Sequence, residues 1–168
     1  MKTFLQPLQS LAEIEEIEKQ AKKNHGILEV SGCIESQKAH LMYGLSGLFP
    51  SHLVIAADEK TAKDLYEDYH FYDKRVYYYP AKDLLFFQAD IHGNLLIRQR
   101  MQVVRALMEE KELAVVTSID GCMDYLLPLE KIEKQLIHFR NDSSLDMDKL
   151  TAALVHMGYE LSLIHISE

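Results

Sequence analysis

Between residues 10 and 128 the apolar positions switch repeatedly between two periods. Short continuous or alternating apolar runs read as strands, and apolar residues three and four apart read as helices. Ser10-Leu11-Ala12-Glu13 has the form of a capping box and opens a helix with Ile14, Ile17 and Ala21 on one face, ending near Asn24. A strand is expected over 26–30, then a helix over 36–48 with Leu41, Leu45 and Leu48 inward, broken by Pro50 and Ser51. The continuous apolar run 53–57 predicts a buried parallel strand, after which Asp58 can cap a helix through Ala62, Leu65 and Tyr69. A third strand is expected over 76–79, stopped by Pro80, with a loop over 81–92. Ile97, Met101, Val104 and Met108 then form one helical stripe, with Arg98 and Arg105 largely off it. A strand over 113–117 and a short helix over 118–127, closed by Pro128, complete the alternation.

That order predicts an α/β fold: a parallel sheet with helices on both faces, spanning 1–128. Past Pro128 the pattern changes. Residues 131–139 alternate and read as a strand, Asn141-Asp142-Ser143-Ser144 as a loop, and Asp146 as the cap of a helix with Leu150, Leu154 and Met157, with Gly158 suited to its C′ position. Residues 129–160 therefore read as the beginning of a smaller α+β domain. The last eight residues, 161–168, read as foreign to the rest: one reverse translation of them resembles the transposon adapter end used in sequencing libraries. They are expected to be a non-native tail, with the natural chain continuing past Glu160.

Composition narrows the functional classes. The 168-residue chain is 48% hydrophobic and 26% charged with a net charge of −8, ordinary for a globular protein and a poor stand-alone grip on nucleic acid. Two cysteines, Cys33 and Cys122, supply neither a disulfide framework nor a metal spacing and suit a reducing cytoplasm. The eight histidines are dispersed, with no pair at metal-binding helical spacing. No apolar run approaches the roughly 20 residues of a membrane span.

The candidate chemistry sits between the first strand and its helix. Gly32 and Lys38 occupy the first glycine and the lysine of a G-x-x-x-x-G-K-[ST] phosphate loop, while Gln37 replaces the second glycine and Ala39 the hydroxyl residue. A side chain at 37 obstructs the approach of phosphates to backbone N–H groups, and Ala39 cannot ligate magnesium. The strand ending in Thr117-Ser118 offers no acidic magnesium ligand, and Asp58 is accounted for as a helix cap. The loop has the order of a phosphate loop without its chemistry, so no catalytic residue is assigned. The run Tyr77-Tyr78-Tyr79 beside Lys74 and Arg75 raises base stacking as an idea, but a strand that alternates tyrosine into the core accounts for it. Arg98, Arg100 and Arg105, followed by Glu109, Glu110 and Glu112, read as a solvated helix face.

Several stations taken in order resemble the N-terminal, UvrB-like region of bacterial transcription-repair coupling factors. These are Ser31-Gly32 with Lys38; Leu53-Val54-Ile55-Ala56-Ala57-Asp58 with Ala62; Tyr79-Pro80-Ala81-Lys82-Asp83-Leu84-Leu85; Ile97-Arg98-Gln99-Arg100-Met101; Val115-Val116-Thr117-Ser118 with Leu127-Pro128; and Leu150, Leu154 and Gly158-Tyr159. The resemblance implies a RecA-like core with a degenerate phosphate loop, cytoplasmic and non-catalytic, that helps to recruit UvrA. It places most of the UvrA surface beyond Gly158-Tyr159, with Tyr159 and Glu160 as the possible partner-binding residues here. ATP and magnesium, and contacts to RNA polymerase and DNA, belong to other domains of the implied longer parent; this chain is expected to need no cofactor. The alternative is a phosphate-loop domain that still binds ATP or DNA.

Overall fold

The computed structural model describes residues 5–23, 26–82, 90–134, 136–137, 146–157 and 159. It divides into two units, Met1–Tyr125 and Leu126–Glu168. In the first, the order is α1 (Gln6–Gln9), α2 (Ala12–Lys23), α3 (Glu35–Leu45) with a 3-10 turn at Ser46–Leu48, β1 (Ser51–Ala56), α4 (Glu59–Tyr72), β2 (Val76–Tyr79), α5 (Asp90–Glu109), β3 (Leu113–Ser118) and α6 (Ile119–Cys122). The strands form one parallel sheet in the order β1-β3-β2, with Leu53 opposite Val115 and Tyr78 opposite Val116.

Strand pleating sends alternate residues of each strand to opposite faces, so the sheet has two cores. On one face Val76, Ala114 and Val116 are buried beneath Ala39 of α3 and Tyr69 of α4. On the other, Leu113, Val115 and Tyr79 meet Val103 and Ala106 of α5. Every residue of β3 is buried, as a central parallel strand requires. Fully buried Ala39 and Ala62 let their helices lie close. Helix α4 begins as expected: Asp58 accepts the Thr61 N–H at 2.8 Å, and that bond holds the Asp58 carboxyl below its usual range.

The structure corrects several expectations. Residues 27–30 form no strand; they are irregular and exposed, because an apolar run with Glu29 in its middle carries no information about which sheet edge would receive it. Ser10 does not open α2 with a capping box: it is the C-terminal cap of α1, and its hydroxyl donates to the Pro7 carbonyl at 2.8 Å. On α3 the residues turned to the sheet are Ala39, Met42 and Tyr43, while Leu41, Leu45 and Leu48 are half-buried. The expected apolar stripe of α5 is buried only in its second half, where Val104 is buried and Met108 half-buried. Ile97 and Met101 are exposed, and Arg100, Val103, Val104 and Ala106 turn inward, because partners of Arg100 distant in sequence set the helix's roll. The helix expected over 118–127 stops at Cys122.

In the second unit, α7 (Leu129–Glu133) replaces the start of the strand expected over 131–139. Helix α8 (Met147–His156) is capped as expected by Asp146, which accepts the N–H groups of Asp148 and Lys149 at 3.2 Å each. The expectations for 83–89, Asn141 to Ser144, Gly158, Glu160 and the tail 161–168 lie outside the described residues.

Candidate functional site

Parallel α/β sheets place their ligand sites off the carboxyl ends of the strands, where the loops converge. Here that end carries a polar network drawn from five segments. The carboxylate of Glu59, the first residue of α4, accepts from the Tyr78 hydroxyl and from the Ala81 N–H at 3.1 Å through one oxygen, and from the Ser118 hydroxyl at 2.6 Å through the other. The Ser118 oxygen in turn accepts the Gly121 N–H at 3.0 Å, capping α6. The Thr117 hydroxyl donates to the Tyr79 carbonyl at 2.7 Å, tying β3 to β2.

Arg100 completes the network. It is 8% exposed. A guanidinium that deep is tolerated only when charge and donors are matched. Nη1 donates to Asp124 at 2.6 Å and to the Pro80 carbonyl at 2.8 Å, Nη2 donates to the Tyr79 hydroxyl at 2.5 Å, and Cζ stands 4.1 Å from the centre of the Tyr79 ring. The second bond to Asp124 comes from the Lys82 N–H at 3.3 Å. Burial raises the Tyr79 phenol, with Arg100 opposing; for Tyr78, burial and the bond to Glu59 both push upward. Tyr77 lies in the same strand and donates to Glu110, which with burial pushes its phenol up to about 12. The three tyrosines are thus spent inside the fold, as the alternating-strand reading expects. Gly121 is required by space: a Cβ there would meet Thr117 Oγ1 at 2.2 Å and the Tyr79 carbonyl at 3.3 Å.

The residues singled out from sequence are elsewhere. Gly32 adopts φ +83°, a left-handed conformation suited to glycine. Ile34 N–H donates to Gln37 Oε1 at 3.1 Å, and the Lys38 ammonium pairs with Glu35 at 2.7 Å. Ala39 is fully buried. Among the described residues no hydrogen bond or ion pair joins Gly32, Gln37 or Lys38 to Glu59 or Arg100. Tyr159 is exposed and its N–H donates to the Leu154 carbonyl at 3.0 Å. No cluster of His, Cys, Asp or Glu among the described residues could hold a metal ion, and no helix there is long and apolar enough to cross a membrane.

Sequence reasoning missed Glu59, Arg100 and Asp124. Glu59 stands behind Asp58, which absorbs the capping role, and Arg100 hides among exposed arginines. At the amino end of the sheet a cleft of about 520 Å³ is lined by Tyr43, Gly44, Tyr72, Asp73 and Arg75. Its one guanidinium is already engaged by Asp73 at 3.1 Å and Glu112 at 2.6 Å.

A three-stranded parallel sheet flanked by helices, with its polar groups gathered at the carboxyl end, is compatible with a RecA-like core. The relatives found are transcription-repair coupling factors. The chain is 28% identical over 95 residues, 55% of its length, to that of Staphylococcus haemolyticus, and 25% identical over 97 residues, 56% of its length, to that of Staphylococcus aureus. It spans 8% of the length of each. No family model and no solved structure matches.

Proposed function

We propose that the chain is a non-catalytic module of a transcription-repair coupling factor that contributes to recruiting UvrA in nucleotide excision repair coupled to transcription. The carrying observation is the similarity to the two staphylococcal coupling factors over slightly more than half of the chain. The side chains favour a module without nucleotide chemistry of its own. A magnesium nucleotide needs a hydroxyl at the position of Ala39 and an unengaged acidic ligand. Ala39 is buried in the core, Lys38 is paired with Glu35, and both oxygens of Glu59 accept protein donors. On this reading ATP, magnesium, DNA and RNA polymerase are handled by other parts of a cytoplasmic parent, and Tyr159 with Glu160 borders the surface that meets UvrA.

Two titrations of the 168-residue chain test the proposal, one with purified UvrA and one with a fluorescent ATP analogue in magnesium. The expected result is weak UvrA binding that falls further in Tyr159→Ala, with no saturable nucleotide binding in the micromolar range. Micromolar, magnesium-dependent binding lost in Lys38→Ala would establish the competing reading, a nucleotide-responsive phosphate-loop domain. Absence of any UvrA binding would remove the recruitment role.

A further inference from the structure

The main polar groups at the carboxyl end of the sheet, Glu59 and Arg100, are committed to protein partners. The cleft at the amino end is built differently, with aromatic walls. Tyr72 of α4 stacks on Tyr43 of α3 at 5.4 Å between ring centres and on His40 at 5.3 Å, which fixes the three rings against one another. Tyr72 is the one ring stacked on Tyr43 among the described residues, so the second face of Tyr43 is left for the cleft that it lines. Gly44 and Gly47 form another wall. A Cβ at Gly44 would meet Leu8 Cδ1 at 2.9 Å, whereas one at Gly47 would meet nothing within 4 Å.

The electrostatics favour a cation. Helix α3 ends on the cleft with no basic residue in its last turn, so its own side chains leave the negative end of its dipole uncompensated. Asp73 and Arg75 are the charged residues lining the cleft. Burial pushes the Asp73 carboxyl up, but the bonds and charge of Arg75 outweigh it and hold the group below its usual range, so Asp73 is an anion at neutral pH. The Arg75 guanidinium is shared between Asp73 at 3.1 Å and Glu112 at 2.6 Å, two carboxylates to one cation. An anionic ligand would have to displace one of them. A cationic ligand would not: a carboxylate has about four acceptor sites, and Asp73 takes three bonds, from the Arg75 backbone N–H, Nε and Nη2.

We propose that this cleft binds a guanidinium cation, stacked on the second face of Tyr43 and bonded to Asp73. A tyrosine face attracts a cation, and the flat guanidinium both stacks on a ring and offers a fork of donors to a carboxylate, which an ammonium does not. The volume of about 520 Å³ lies within the roughly 300–1,000 Å³ of small-molecule sites, so it accepts the group together with the chain that carries it. A free alkylguanidine and the arginine side chain of a partner protein supply the same chemistry. None of these residues enters the proposed recruitment of UvrA, so the site stands or falls by itself.

Amide-resolved NMR titration of the 168-residue chain with ethylguanidinium chloride tests this, with sodium chloride at equal ionic strength as the control. The expected result is saturable shifts at Tyr43, Gly44, Gly47 and Asp73 that sodium chloride does not produce. Tyr43→Leu should weaken binding by roughly five-fold or more, while Tyr43→Phe, which keeps the ring, should stay within about two-fold of the unaltered chain. Asp73→Asn, which keeps an acceptor for the Arg75 N–H, should weaken it by a similar factor to Tyr43→Leu. Gly47→Leu extends a side chain into open space and should abolish the shifts while leaving the amide spectrum of β3 unchanged. An acetyl-Gly-Arg-Gly-amide peptide separates the sources: binding tighter than ethylguanidinium assigns the site to a partner's arginine, and equal or weaker binding assigns it to a small molecule. Shifts that fail to saturate or that sodium chloride reproduces overturn the proposal, and so does binding that survives both Tyr43→Leu and Gly47→Leu.

Discussion

The loop that opens α3 and the network that closes the strand ends are both rich in polar groups, but their bonds work over different lengths of chain. In the loop, Ile34 is joined to Gln37 and Glu35 to Lys38, each three residues apart. In the network, Ser118 reaches Glu59 across 59 residues, Lys82 reaches Asp124 across 42 and Arg100 reaches Asp124 across 24. A bond closed within one helical turn forms whenever that turn forms, whatever surrounds it. A bond across the sheet exists only with the strands in the order β1-β3-β2. The loop therefore carries the recognisable motif and little of the stability, while the network carries stability and no recognisable motif.

Substitutions can break this contrast. Arg100→Ala removes the guanidinium over Tyr79 and strips Asp124 of its counter-charge; urea unfolding should show a loss of about 3 kcal/mol. A loss under about 1 kcal/mol would mean that the strand ends hold together without the ion pair. Gly121→Ala drives a methyl into Thr117 and the Tyr79 carbonyl, and should cost roughly 2–3 kcal/mol in the same assay. Glu59→Gln keeps the shape but replaces one of the two acceptor oxygens by an NH2 donor and removes the charge, an expected loss of about 1–2 kcal/mol, with the Tyr78 phenol titrating at lower pH by absorbance as the anionic partner disappears. The smallest effects belong to the loop. Gly32→Ala pays only the left-handed backbone strain, about 1 kcal/mol, since nothing lies within 4 Å of an added Cβ. Lys38→Ala removes an exposed pair and should move thermal stability by less than about 0.5 kcal/mol. A loop substitution that costs as much as Arg100→Ala would reverse the comparison.

Periodicity and capping chemistry located many elements because their causes are local. The strand at 76–79, the central strand from Leu113, the helix behind Asp58 and the helix behind Asp146 all begin where short-range rules place them. The candidate site was less legible. Spacing along one helix groups Arg100 with Arg98 and Arg105, since it cannot report a carboxylate 24 residues away. The period of Ile97 and Met101 points them to the core, yet both are exposed, because the roll of α5 follows Arg100 and its partners.

What this sequence determined by itself is the run of elements from the strand after Pro50 to the strand ending at Ser118, the caps at Asp58 and Asp146, and the placing of three tyrosines in a strand, since these depend on neighbours within a turn or two. The order of the strands, the inward turn of Arg100 and the commitment of the Glu59 carboxylate to protein donors were decided only in the tertiary structure. Each depends on which distant segments share the carboxyl end of the sheet, and in that partly buried setting a polar group is stable only where its partners converge.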